Sequence, residues 1–93
     1  METNVAAILQ ERGKRYGSFK RHAQITIALK EVLAAYMPPT MADDQREALD
    51  MVMHKIGRIL NGDPNYVDSW VDVAGYTQLV VDRLVEDQQK VKV

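Results

Sequence analysis

The chain predicts an all-α fold, a small bundle of about four helices in a single domain spanning residues 1–93. Two observations carry this. Apolar residues recur at three- and four-residue spacing almost throughout, and no stretch alternates as a strand would. Turn and cap residues cut the pattern into four pieces with short joints, the arrangement of a helical bundle.

The first helix is expected from about Thr3 to Arg12, with Thr3 as cap, Val5, Ile8 and Leu9 on one face, and Gly13 as the stop. Ser18 then caps a second helix from about Phe19 to Met37, with Ile25, Leu29, Val32, Leu33 and Tyr36 as its stripe. Pro38 and Pro39 end it, because proline lacks an N–H and restrains the residue before it. A third helix starts between Thr40 and Asp44, where Asp44 to Glu47 resembles a capping box. Its apolar face is Leu49, Val52, Met53, Ile56, Ile59 and Leu60. Asn61-Gly62 offers a left-handed exit. Asp63-Pro64 restarts a fourth helix, from about Pro64 to Asp87, with aspartate as cap and proline in the first turn. The tail from Gln88 to Val93 is expected to fray.

Composition narrows the function. The chain is 93 residues long, and 46% of them are apolar. That is high for a domain so small, and it predicts apolar surface shared between subunits, hence a homo-oligomer. The plainer alternative is a tight monomeric bundle. Twelve basic and thirteen acidic residues give a net charge of −1, which argues against nucleic acid as the partner. There is no cysteine, so no disulfide and no thiolate chemistry. No apolar run approaches the roughly 18 residues of a membrane span, and the N-terminal run is too short for a signal peptide. A cytoplasmic protein without membrane contact is expected.

Three polar features stand out. In the fourth helix, Asp68 and Asp72 lie one turn apart among Val67, Trp70, Val71, Val73, Ala74, Tyr76, Leu79, Val80, Val81, Leu84 and Val85. A helix apolar nearly all round is buried in a core or an interface. Gly75, unfavourable by about 1 kcal/mol inside a helix, marks a close approach by backbone or ligand. In the third helix, Glu47, Asp50, His54 and Arg58 share one face, with Lys55 beside it. Such a stripe on a lone helix is ordinarily solvated, but the short Asn-Gly-Asp-Pro joint makes the two helices antiparallel neighbours. Either Glu47, Asp50, Asp68 and Asp72 hold Mg²⁺ through oxygen ligands, or Lys55 and Arg58 neutralise Asp68 and Asp72. The nearby bases favour the second state, since crowded carboxylates raise one another's pKa. The third feature is the basic loop. Lys14, Arg15, Lys20 and Arg21 flank Tyr16 and Phe19 at a helix N-terminus, which suits a phosphate with a stacked base. A plain surface loop with one anchoring aromatic fits equally well. His22, close to the apolar stripe, reads as structural.

Residues 47–76, EALDMVMHKIGRILNGDPNYVDSWVDVAGY, together with residues 11–19, ERGKRYGSF, resemble a family of small helical phage and prophage proteins of unknown function. The chain also bears a distant similarity to the MazG-like all-α nucleoside triphosphate pyrophosphohydrolases. That likeness implies an oligomeric bundle holding Mg²⁺ on two acidic motifs. Glu47 and Asp50 match the first, with aspartate for the second glutamate. Asp72 matches the end of the second, but Ser69 stands where a carboxylate is expected and Asp68 is displaced by one position.

Three functions follow. The first is a nucleotide-binding protein without cofactor or turnover, similar in size and in its basic-aromatic loop to phage sponges that sequester cyclic or ADP-ribose-type defence signals. Its ligand residues would be Lys14, Arg15, Tyr16, Lys55, Arg58, Asp68, Asp72 and Tyr76. The second is a Mg²⁺-dependent pyrophosphohydrolase using Glu47, Asp50, Asp68 and Asp72. The third is a protein-interaction module.

Overall fold

A computed structural model describes the backbone of residues 2–91 and the side-chain environments of residues 4–90. It contains four helices, α1 (Glu2–Tyr16), α2 (Phe19–Tyr36), α3 (Asp43–Asn61) and α4 (Val67–Val91), and no strand among the described residues. The protein is a small all-α bundle, as the periodicity predicts.

Several boundaries move, each for a local reason. α1 spans Glu2–Tyr16 and runs through Gly13; the cap expected of the Thr3 side chain lies outside the described side chains. Lys14 and Arg15 occupy its last turn, where positive charge complements the carbonyl end of the helix dipole. The exit falls at Gly17, at φ 74°, whose N–H donates to the Gly13 carbonyl at 2.9 Å. Ser18 caps α2 as expected, its hydroxyl accepting from the Arg21 N–H at 3.2 Å.

Asp44 does not cap α3. The flanking residue is Ala42, whose N–H is taken by the Gln45 side chain at 2.8 Å. Asp44 instead receives a two-pronged contact from Arg83 on α4, at 2.9 and 2.6 Å. Asp63 caps a turn rather than a helix, its carboxylate accepting from the Asn65 N–H at 2.9 Å. α4 starts three residues after Pro64, at Val67, and continues to Val91. The helix thus extends four residues past the expected end at Asp87, and residues 92–93 lie outside the described residues.

α3 is the central element. α2 packs on one side of it, α4 on the other, and α1 lies across the end shared by α2 and α3. Two faces of α3 are thus covered, so Ala48, Met53, Lys55 and Gly57 are buried while Leu49 and Leu60 stay exposed. Gly57 permits the close α2–α3 approach, because a methyl there would meet His22 and Thr26 at 2.9 Å. Among the described residues α4 packs on α3 alone, so its outer half is uncovered and the expected all-round burial does not occur there. On α2, Val32 and Tyr36 are likewise exposed.

The result is elongated, 58 × 27 × 26 Å. The radius of gyration is 16.7 Å, against about 12 Å for a compact chain of this length. The accessible surface is 7163 Å², whereas a compact monomer of this mass exposes about 5,500 Å². No large side chain is fully buried among the described residues.

Candidate functional site

The α1–α2 joint and the α3–α4 joint cross, and this crossing builds the site. Asn61 Nδ2 donates to the carbonyls of Tyr16 and Ser18, both at 2.8 Å. The Asp63 N–H donates to the Arg15 carbonyl at 2.7 Å. Two glycines make the crossing possible. A methyl at Gly17 would overlap Asn61, and one at Gly62 would overlap the Arg15 carbonyl and the Tyr16 backbone. Gly62 has φ −135°, so close approach explains it, not the left-handed exit expected from the sequence.

Above this crossing α1, α2 and α3 enclose a cleft of about 640 Å³. Arg12, Lys30 and Arg58 line it, with His22 and His54, the aromatic rings of Tyr16 and Phe19, and apolar contributions from Leu9, Ala23 and Ile27. No carboxylate lines it among the described residues. Positive charge beside stacking rings, with no carboxylate in the lining, is chemistry suited to a phosphate attached to an aromatic group.

The side chains are ordered by one another. The Arg58 guanidinium sits 4.6 Å from the Tyr16 ring centre, within cation–π range. Tyr16 meets Tyr66 edge-to-face at 6.1 Å, and Arg15 covers the Tyr66 ring at 4.5 Å. Phe19, 82% exposed, stacks on His22 at 6.3 Å and leaves its other face open. His22 and His54 lie 5.8 Å apart, ring centre to ring centre. Lys30 Nζ lies 3.1 Å from His54 Nε2. An ammonium can only donate, so this contact places the His54 proton on Nδ1.

Both histidines are held below the ordinary imidazole pKa. For His22 burial is the first cause, with His54 and Arg58 adding to it and the Gly57 backbone opposing. For His54 burial again leads, followed by Lys30 and Arg58, with Asp50 opposing. His22 Nδ1 is buried with no hydrogen-bond partner, a cost unless something supplies one.

The residues expected from the sequence are divided by the fold. Tyr16 and Arg58 line the cleft. Lys14 and Arg15 end α1 beside it but do not line it, and Arg15 is bound to Glu11 at 2.9 Å. Lys55 is buried on the other side of α3 and pairs with Asp72 at 2.9 Å. Of the pairings foreseen, this one forms, while Arg58 turns to Tyr16. Asp68 accepts from the Tyr66 hydroxyl at 2.9 Å, and Tyr76 lies on α4, away from the cleft.

The four carboxylates do not converge. Asp44–Arg83 and Lys55–Asp72 share one antiparallel register. In that register Asp50 and Glu47 lie about 7.5 and 12 Å along the axis from the level of Asp72, at 1.5 Å per residue. No group of three or more His, Asp or Glu side chains is placed to hold a metal ion among the described residues.

A sequence reading misses the pairing of His22 and Lys30 with His54 because they sit on different helices. A signal was present: His22, Thr26 and Lys30 step by four along α2, as His54 and Arg58 do along α3.

The family model described as "domain of unknown function (DUF6378)" matches residues 1–84. The chain belongs to that family. The match takes in the joint crossing, the whole cleft and most of α4. No curated protein and no solved structure matches the chain. No helix among the described residues is long and apolar enough to cross a membrane.

Proposed function

We propose that this DUF6378 protein binds a nucleotide, or a nucleotide-derived anion, in the α1–α2–α3 cleft and holds it without turnover. One observation carries the reading: Arg12, Lys30, Arg58, His22 and His54 share a cleft with Tyr16 and Phe19, with no carboxylate in its lining. Arg58 and Lys30 take the phosphate. Phe19, with one face open, stacks the base. An anion beside the half-buried His22 and His54 offsets the repulsion from Lys30 and Arg58 that helps to keep them neutral, so binding takes up protons. Retention of an intact nucleotide signal, as by a phage-encoded sponge, is the use this reading assigns to the cleft. Metal-assisted cleavage draws little support, because its four carboxylates lie along the α3–α4 seam, apart from one another and from the cleft.

The test is a panel of nucleoside triphosphates, ADP-ribose and cyclic dinucleotides, followed by chromatography before and after heat denaturation. A ligand should leave solution and return intact, with no effect of Mg²⁺. Arg58→Ala and Lys30→Ala should each weaken binding about tenfold or more, the loss of a charge-assisted hydrogen bond being ~1.5–3 kcal/mol. Mg²⁺-dependent appearance of pyrophosphate, or an Arg58→Ala variant that binds normally, would overturn the reading.

A further inference from the structure

The outer face of α4 carries a pattern that the single chain does not use. Val67, Val71, Ala74, Gln78, Val81 and Val85 follow one another by steps of four, three, four, three and four. That is the a/d repeat of a coiled-coil seam, sustained over nearly three heptads. All six residues are exposed; Val67 is 65% and Val71 58% accessible. The opposite face of the same helix, with Asp72, Val73, Tyr76, Val80 and Arg83, is the one packed towards α3.

The edges of the seam fit burial. Trp70, 55% exposed, flanks it, and its indole N–H already donates to the Pro64 carbonyl at 2.8 Å. Its polar end is satisfied, so the ring can be covered at no cost in hydrogen bonding. Thr77 likewise donates to the Val73 and Ala74 carbonyls, each at 3.0 Å. Leu84 extends the apolar strip. The two flanking carboxylates are held, Asp68 by Tyr66 and Asp82 by Gln78 at 2.7 Å. Beside Ala74, a methyl at Gly75 would meet nothing within 4 Å. The close approach expected at Gly75 is thus unmet inside the chain and available to a neighbouring backbone.

We infer that α4 is the interface of a two-fold homodimer, the seam of one chain packing on the same seam of a second copy. The area agrees. The surface of 7163 Å² exceeds that of a compact monomer by about 1,700 Å² over the whole chain, more than the about 800 Å² that a standard interface takes from each partner. A seam meeting itself needs no second protein, since a two-fold axis makes one surface self-complementary. Gln78, polar in the middle of an apolar seam, fixes the register, as a single buried amide does in coiled coils.

The chain's single tryptophan reports on this face. Sedimentation should give twice the 10.6 kDa chain mass, and Trp70 should resist iodide quenching. Val71→Asp and, separately, Val85→Asp should yield helical monomers with Trp70 freely quenched. Ile8→Asp, on the exposed face of α1, should leave the dimer intact. Wild-type protein that sediments as a monomer at tens of micromolar would overturn the inference without any variant. So would a dimer that survives Val71→Asp, or one broken only by Ile8→Asp.

Discussion

The joint crossing and the outer face of α4 show two ways in which one chain uses its surface. At the crossing, backbone meets backbone. Asn61, Asp63 and two glycines tie three helix ends together, and the cleft above is fixed within one molecule. On α4 the tie is by side chains to α3 alone, through the Asp44–Arg83 and Lys55–Asp72 pairs, and a valine face is left open. The first region is specified by sterics and hydrogen bonds, which tolerate little change. The second is specified by charge pairing and apolar area, which tolerate more.

The largest expected effect therefore lies at the crossing. Gly17→Ala forces a side chain into positive φ and onto Asn61 and should cost up to about 3 kcal/mol. Gly62→Ala, pressed onto Arg15 and Tyr16, should be comparable. Gly13→Ala in the interior of α1, where a methyl meets nothing, should stabilise by about 0.5–1 kcal/mol. Urea denaturation of the three variants checks the contrast.

Next comes the α3–α4 pair. Asp72→Asn leaves the buried Lys55 ammonium without its carboxylate, an expected loss of about 1–3 kcal/mol. The same variant should leave nucleotide binding unchanged, because Asp72 lies outside the cleft. A drop in affinity without a drop in melting temperature would place ligand at α4 and reverse the roles of the two regions.

The third effect is pH dependence confined to one region. His22 and His54 have folded pKa values below the ordinary imidazole value of 6.5. The unfolded chain therefore binds protons first as pH falls. Stability is fully present above about pH 6.5 and declines as pH drops from there towards the folded values. Between pH 7.5 and 5 the melting temperature should fall, and His54→Gln should flatten the curve. Asp44, held below the usual carboxylate range by Arg83, should keep the α3–α4 contact intact over the same interval. Smallest of all is Glu86→Gln, which removes an exposed partner of Lys90 at 3.4 Å. It should shift stability by under about 0.5 kcal/mol.

Much of the fold was legible because helical periodicity and caps are local. Ser18 and the two prolines act as the sequence implies. Gly13, Gly62 and Asp63 do not, because their roles depend on what lies across the joint, and Gly17 and Asn61 are explained only by the crossing. The candidate site was half legible. Tyr16 and Arg58 were visible as a basic-aromatic loop and a cation on a polar stripe. His22 and Lys30 were not, since their partner His54 belongs to another helix. Lys55 and Asp72 looked like ligand residues because a buried ion pair and a binding site use the same side chains.

The measurement that most directly tests the cleft is an NMR titration of the two histidine side chains, with ATP and a cyclic dinucleotide as probes. The account predicts that a bound probe shifts the His22 and His54 imidazole signals and raises their pKa values, while the Tyr76 ring signals on α4 stay in place. Binding that leaves both imidazoles unmoved and perturbs Tyr76, or no binding by any nucleotide, would contradict it.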